Sequence, residues 1–309
     1  MMRSLYSAIT GLKNHQISMD VIGNNIANVN TPGYKRSRST FANMLGQELR
    51  GSSAPDQAGS YGGTNGIMIG LGSILGAVDT IMSQGSSQYT GKQTDMMLQG
   101  EGMFVLKLGG ENVYTRVGNF SFDKEGNFID PASGAFVQGY ENLTAPGAGD
   151  PPTIGDADWG DSTTPLVNIQ FSIGEDLDPD ANGGIGTGYK LTSYSIDKFG
   201  TITGVYSNGD QAVTRELYKI AVANFSNTAG LTAQGNNFYT ESNNSGAAMI
   251  GFAGSEGRGT IVPNNLEMSN VDLSQEFTDM IVTQRGFQAN SRVITVSDTL
   301  LQELVDLKR

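Results

Sequence analysis

Apolar residues recur every seven positions at both ends of this chain, and the residues between them follow different rules. From Leu273 the count runs Leu273, Met280, Phe287, Ile294 and Leu301. This is a sustained helical stripe without proline and with a single glycine, Gly286. Its companion position reads Phe277, Gln284, Ser291, Asp298 and Val305, so the expected seam is apolar at its ends and polar in the middle. A polar middle weakens a free-standing coiled coil but suits a helix that touches several neighbours. Asp272, with Gln275 three residues on, predicts a capped helix start. Lys308 and Arg309 place positive charge at the helix end, where the macrodipole favours it.

The amino-terminal stripe is the counterpart. Leu5, Leu12, Met19 and Ile26 recur at sevens, with Ala8, His15, Ile22 and Val29 beside them. It stops at Thr31-Pro32-Gly33-Tyr34, where proline disfavours helix at the preceding residue and Pro-Gly suits the centre of a type II turn. Each helix alone is marginal in water. They need each other, or other copies of the chain.

With 309 residues the chain has room for two or more compact units. A net charge of −12 argues against nucleic acid and anionic membrane as partners. The absence of cysteine excludes disulfides, thiolate metal sites and cysteine nucleophiles. The longest apolar stretch, residues 67–78, is broken by glycine and too short to span a bilayer. No cleavable signal peptide is visible at the amino terminus. The 42 glycines, with many Ser, Thr and Asn, indicate a turn-rich β middle.

After the turn, residues 40–50 predict a short helix, and residues 51–66 read as linker. From Ile67 the period becomes two. Residues 120–130 read as a hairpin turning at Lys124–Asn127, and residues 194–210 repeat the device with another Asp-Lys-x-Gly turn. Residues 217–225 form the strongest strand candidate. Residues 141–190, with five prolines, read as a small outer insertion. The expected fold is therefore mixed: a coiled-coil-like α-helical terminal pair plus a mainly-β discontinuous middle. Its parts are residues 1–30 and 269–309 (paired helices), 31–66 (linker), 67–140 and 191–262 (β-rich domain) and 141–190 (insertion).

No constellation points to catalysis, a cofactor or a metal. Asp178-Pro179-Asp180-Ala181-Asn182-Gly183 matches the opening of a calcium loop, but the twelfth position is Tyr189 where a bidentate Glu is required. An Asx-rich surface turn is the expectation there. The glycine strings at 66–76 and 251–259 lack the Lys-Ser/Thr ending and strand-to-helix setting of a phosphate cradle. His15 has no second ligand or nucleophile at sensible spacing, so a packing or interface role is expected.

Residues 24–35, NNIANVNTPGYK, resemble the amino-terminal signature of bacterial flagellar axial proteins. Residues 269–294, SNVDLSQEFTDMIVTQRGFQANSRVI, resemble the matching hallmark at the other end. Within that family, residues 222–242 and 258–274 look most like the hook protein. Residues 100–106 and 114–128 are similar to a segment shared by hook and distal rod proteins. The resemblance implies a non-enzymatic flagellar hook subunit, exported through the flagellar type III apparatus without a cleaved signal and located outside the cell. Such a subunit forms a helical homo-polymer and meets rod proteins, hook-associated proteins and the hook cap, with no nucleic acid partner and no membrane insertion. Its expected subunit interface is Leu5, Leu12, Met19, Ile22 and Ile26 with Leu273, Phe277, Met280, Phe287, Ile294 and Leu301. A distal rod protein is the alternative, since the insertion is shorter than the outer domain of many hook proteins. A secreted calcium-dependent binding module is a third reading.

Overall fold

The computed structural model describes residues 2–54, 62–142, 159, 165–171, 173, 190–207 and 212–307. Helix α1 spans Met2–Ala27 and helix α2 spans Leu273–Asp306. The Asp272 side chain accepts hydrogen bonds from Ser274 N and Gln275 N (2.8 and 3.4 Å), satisfying amides that the first turn cannot pair internally. The helices pack together and flank a mainly-β middle, as the two stripes predict. The basic end at Lys308 and Arg309 lies outside the described residues, as does the calcium-like loop at 178–183.

Two compact units divide the chain: residues 1–29, 35–81 and 271–309 form the first, and residues 30–34 and 82–270 the second. Residues 67–81, read from sequence as the start of the β-rich domain, thus lie with the helices. The predicted helix over 40–50 does not form. Strand Ser37–Asn43 pairs antiparallel with Ser73–Thr80, and Gln47–Arg50 pairs with Ile67–Ile69. Residues 31–66 are therefore more than a linker. A short segment with weak local preference takes the structure its distant partner strand offers.

In the first unit α1 packs against both α2 and the ribbon made by Ser37–Asn43 and Ser73–Thr80. Its buried polar residues are satisfied by these neighbours. Asn14 donates to Ser73 Oγ (2.8 Å). Asn25 donates to Ser37 O (2.8 Å) and accepts from Ser37 N (3.0 Å).

A twelve-stranded sheet organises the second unit among the described residues. Its longest strand, Ala212–Asn224, contains most of the predicted 217–225 segment. This strand pairs with Thr201–Ser207 along its first part and with Phe136–Glu141, Met103–Leu108 and Met249–Phe252 further on. The period of two covers both faces. Phe104, Leu106, Ile220 and Val222 enter one core; Met103, Val105, Ala221 and Ala223 enter the other.

Both Asp-Lys-x-Gly turns form, and in each the glycine amide donates to the aspartate carbonyl, Gly126 N to Asp123 O at 3.2 Å. Asp123 Oδ1 accepts from Glu125 N and Asn127 N, both at 2.8 Å. Asp197 O accepts from Gly200 N at 2.9 Å, and Gly200 takes the positive φ of 75° that the turn demands. The Pro32-Gly33 turn belongs to this unit as well. Gly33 N donates to Glu267 O (2.8 Å), and Asn237 Nδ2 donates to Pro32 O (3.1 Å). The Glu267 carboxylate forms a buried pair with Arg116 at 3.4 Å and accepts from Gly85 N at 2.9 Å.

Candidate self-assembly surface

Three close approaches fix how α1 meets α2. Asn25 Nδ2 donates to Glu276 Oε2 at 3.2 Å. At Gly11 an added methyl would lie 2.6 Å from Asn290 Nδ2, and at Gly286 it would lie 2.6 Å from the His15 ring. All three pairs obey one antiparallel register. Extended along the helices, that register places Met2 beside Thr299, so residues 300–307 run past the first described residue of α1.

Along α2 the half-buried Met280, Phe287 and Ile294 alternate with Glu276, Thr283, Asn290 and Ser297, of which all but the half-buried Asn290 are buried. The companion row is therefore one residue earlier than the expected Phe277, Gln284, Ser291, Asp298 and Val305. Phe277 and Val305 are exposed. Rows three and four residues away from an apolar row both adjoin it on a helix. The sequence favoured the row with apolar ends, whereas the packed pair uses the row that is polar from Glu276 to Ser297.

At Glu276 and Thr283 the seam remains compatible with burial because both side chains have partners. Glu276 is 1% exposed and meets Arg36 Nε at 2.5 Å as well as Asn25. Arg36 also reaches Asp279 at 3.4 Å. Thr283 Oγ1 donates to Asp279 O at 2.7 Å, within its own helix.

Of the expected interface residues on α1, Ile22 is buried, while Leu5, Leu12, Met19 and Ile26 are half-buried. On α2, Leu273, Phe277 and Leu301 are exposed. His15 packs against Gly286. Among the described residues, no group of three or more His, Cys, Asp or Glu could hold a metal, and no helix is long and apolar enough to cross a membrane.

Sequence reasoning missed a second apolar face. Val282, Val293, Val296, Leu300, Leu304 and Leu307 are all exposed, Leu304 at 52% and Leu307 at 83%. At 3.6 residues per turn they lie along one side of α2, about a quarter turn from the α1 seam. Phe277 and Ile281, also exposed, lie on the opposite flank. The signal was present as the three- and four-residue spacing of 293, 296, 300, 304 and 307, overshadowed by the stronger heptad count.

Similarity to known proteins agrees with these terminal elements. Residues 5–35 match the flagella basal body rod protein family, and residues 262–307 match the flagellar basal body rod FlgEFG protein C-terminal. Residues 97–204 match the flagellar hook protein FlgE/F/G D1 domain. The flagellar basal-body rod protein FlgG of Bacillus subtilis is 42% identical over 310 residues, covering 100% of both chains. The flagellar hook protein FlgE of Borreliella burgdorferi is 34% identical over 447 residues, and that of Treponema pallidum 30% over 468, each again covering 100% of both chains. The chain belongs to the flagellar basal body rod and hook family, and is accordingly a structural, non-enzymatic component of the flagellar axis.

Proposed function

We propose that this protein is a distal rod subunit of the flagellar basal body, polymerising through α1 and α2 into a straight tube. The observation that carries self-assembly is the second apolar face of α2. An amphipathic helix in a single globular core presents one apolar stripe. This helix has two, and residues 300–307 extend past the described end of α1 with Leu300, Leu301, Leu304, Val305 and Leu307 exposed. Further copies of the chain would cover that surface. In this reading the helices form the inner tube domain, and Leu273, Phe277 and Leu301 join the second face in contacts between copies. Neighbouring rod and hook proteins would meet the ends of the polymer.

Length supports the rod over the hook. The 309 residues align with the Bacillus subtilis rod protein over 310 positions, whereas the two hook relatives require 447 and 468. Their additional length leaves this chain without much of what those hook proteins carry. The local likeness of residues 222–274 to hook proteins is outweighed by this full-length agreement.

Electron microscopy of the full-length protein at raised salt tests the reading. Straight, stiff tubes are expected. Curved or supercoiled tubes would restore the hook assignment, and absence of any polymer, with or without preformed rod ends as seeds, would sink self-assembly.

A further inference from the structure

An apolar heptad row is degenerate. Met280, Phe287 and Ile294 replace one another when the helices slip by seven residues, and hydrophobic burial changes little. Something else must select one pairing.

We infer that Gly11, Gly286 and the buried Asn25–Glu276–Arg36 cluster set the register of α1 against α2. Gly286 leaves bare backbone for the His15 ring, and Gly11 does the same for the Asn290 amide. A slip of one heptad puts His15 against Val293 in one direction and Asp279 in the other, so a side chain enters the space the ring occupies. Asn290 then faces Ser18 or Ser4 in place of Gly11. Glu276 moves opposite Ser18 or beyond the end of α1, away from Asn25. A buried carboxylate separated from its partners is costly, which makes the polar cluster selective even where it adds little net stability.

The register decides which residues of α2 project past α1 and how far along the axis the Val293–Leu304 face lies. Its effect on copies meeting in phase rests on the proposed assembly. The register device itself operates within one chain.

The chain has no cysteine, so nitroxide labels can be placed at Arg3→Cys and Gln284→Cys, both on exposed positions. Arg3 faces Asp298 in the observed register, so the labels are separated by about 21 Å along the axis, and a one-heptad slip changes that separation by about 10 Å. Electron–electron resonance distances are read on monomeric full-length protein diluted with unlabelled chain, so failure to polymerise leaves the test intact. A single distance population is expected in the parent. A second population displaced by about 10 Å is expected in Asn25→Leu/Glu276→Leu and in Gly286→Val, with helical circular dichroism retained. Gly286→Ala, whose methyl displaces only the ring, substitutes if the valine variant does not fold. Several populations in the parent, or one unshifted population in the folded variants, would overturn the inference.

Discussion

Tyr239 shows how burial at one residue becomes a property of the β unit. Its phenol is 8% exposed, and loss of solvation, with a smaller contribution from Tyr34, pushes its pKa up to about 12. Folded and unfolded chains are both protonated at this site below pH 10, where its contribution is fully present. Between pH 10 and 12 the unfolded phenol ionises while the folded one holds its proton, so stability falls as pH rises. Over that interval Tyr239 costs the β unit roughly 3 kcal/mol. Urea unfolding of the full chain from pH 9 to 12 should therefore show a steeper decline than in Tyr239→Phe, by the equivalent of one bound proton. Equal slopes would mean that the ring is solvated. Tyr114 is pushed upward too, by burial and then by donating to Glu241 at 2.5 Å. It leaves a residual slope in the variant.

The two helices illustrate what periodicity reveals about an element and what it conceals. Their existence and the Asp272 cap were legible because capping and amphipathic spacing act within a few residues. The identity of the seam was hidden because Glu276 is buried through Asn25 on α1 and through Arg36, and Thr283 through a bond within α2 itself. The projecting end of α2 gives a clear test. Removing Leu301–Arg309 takes away Leu301, Leu304, Val305 and Leu307, none of which is buried in the single chain. Polymerisation measured by sedimentation should be lost, while melting of the β unit followed by near-ultraviolet circular dichroism stays unchanged. Loss of both together would mean that this end belongs to the core of one folded chain.

Across the whole molecule, the two compact units bury their apolar residues differently. The β unit closes around Phe104, Phe120, Phe128, Ile202, Ile220 and Ile261, each 0% exposed. The helical unit leaves an apolar face of α2 uncovered. Association selectively stabilises the state that buries such a face, so its unfolding depends on protein concentration. Calorimetry of the full chain should give two transitions. The helical transition should rise with concentration and with salt, which screens the repulsion between copies carrying a net charge of −12. The β transition should be insensitive to concentration. A single concentration-independent transition would contradict this division.

Local chemistry sets what sequence alone determined here: heptad helices at the ends, the Asp272 cap, two Asp-Lys-x-Gly turns and the long strand ending near Asn224. Each depends on residues close together in the chain. Tertiary structure decided the rest. Ser37–Asn43 and Gln47–Arg50 became strands because Ser73–Thr80 and Ile67–Ile69 supply their hydrogen-bond partners. Glu276 could be buried because Asn25 and Arg36, distant in sequence, converge on it. The second face of α2 became distinct only when α1 occupied the first. Spacing along a helix identifies its apolar positions, but packing determines which of them retain water until another molecule arrives.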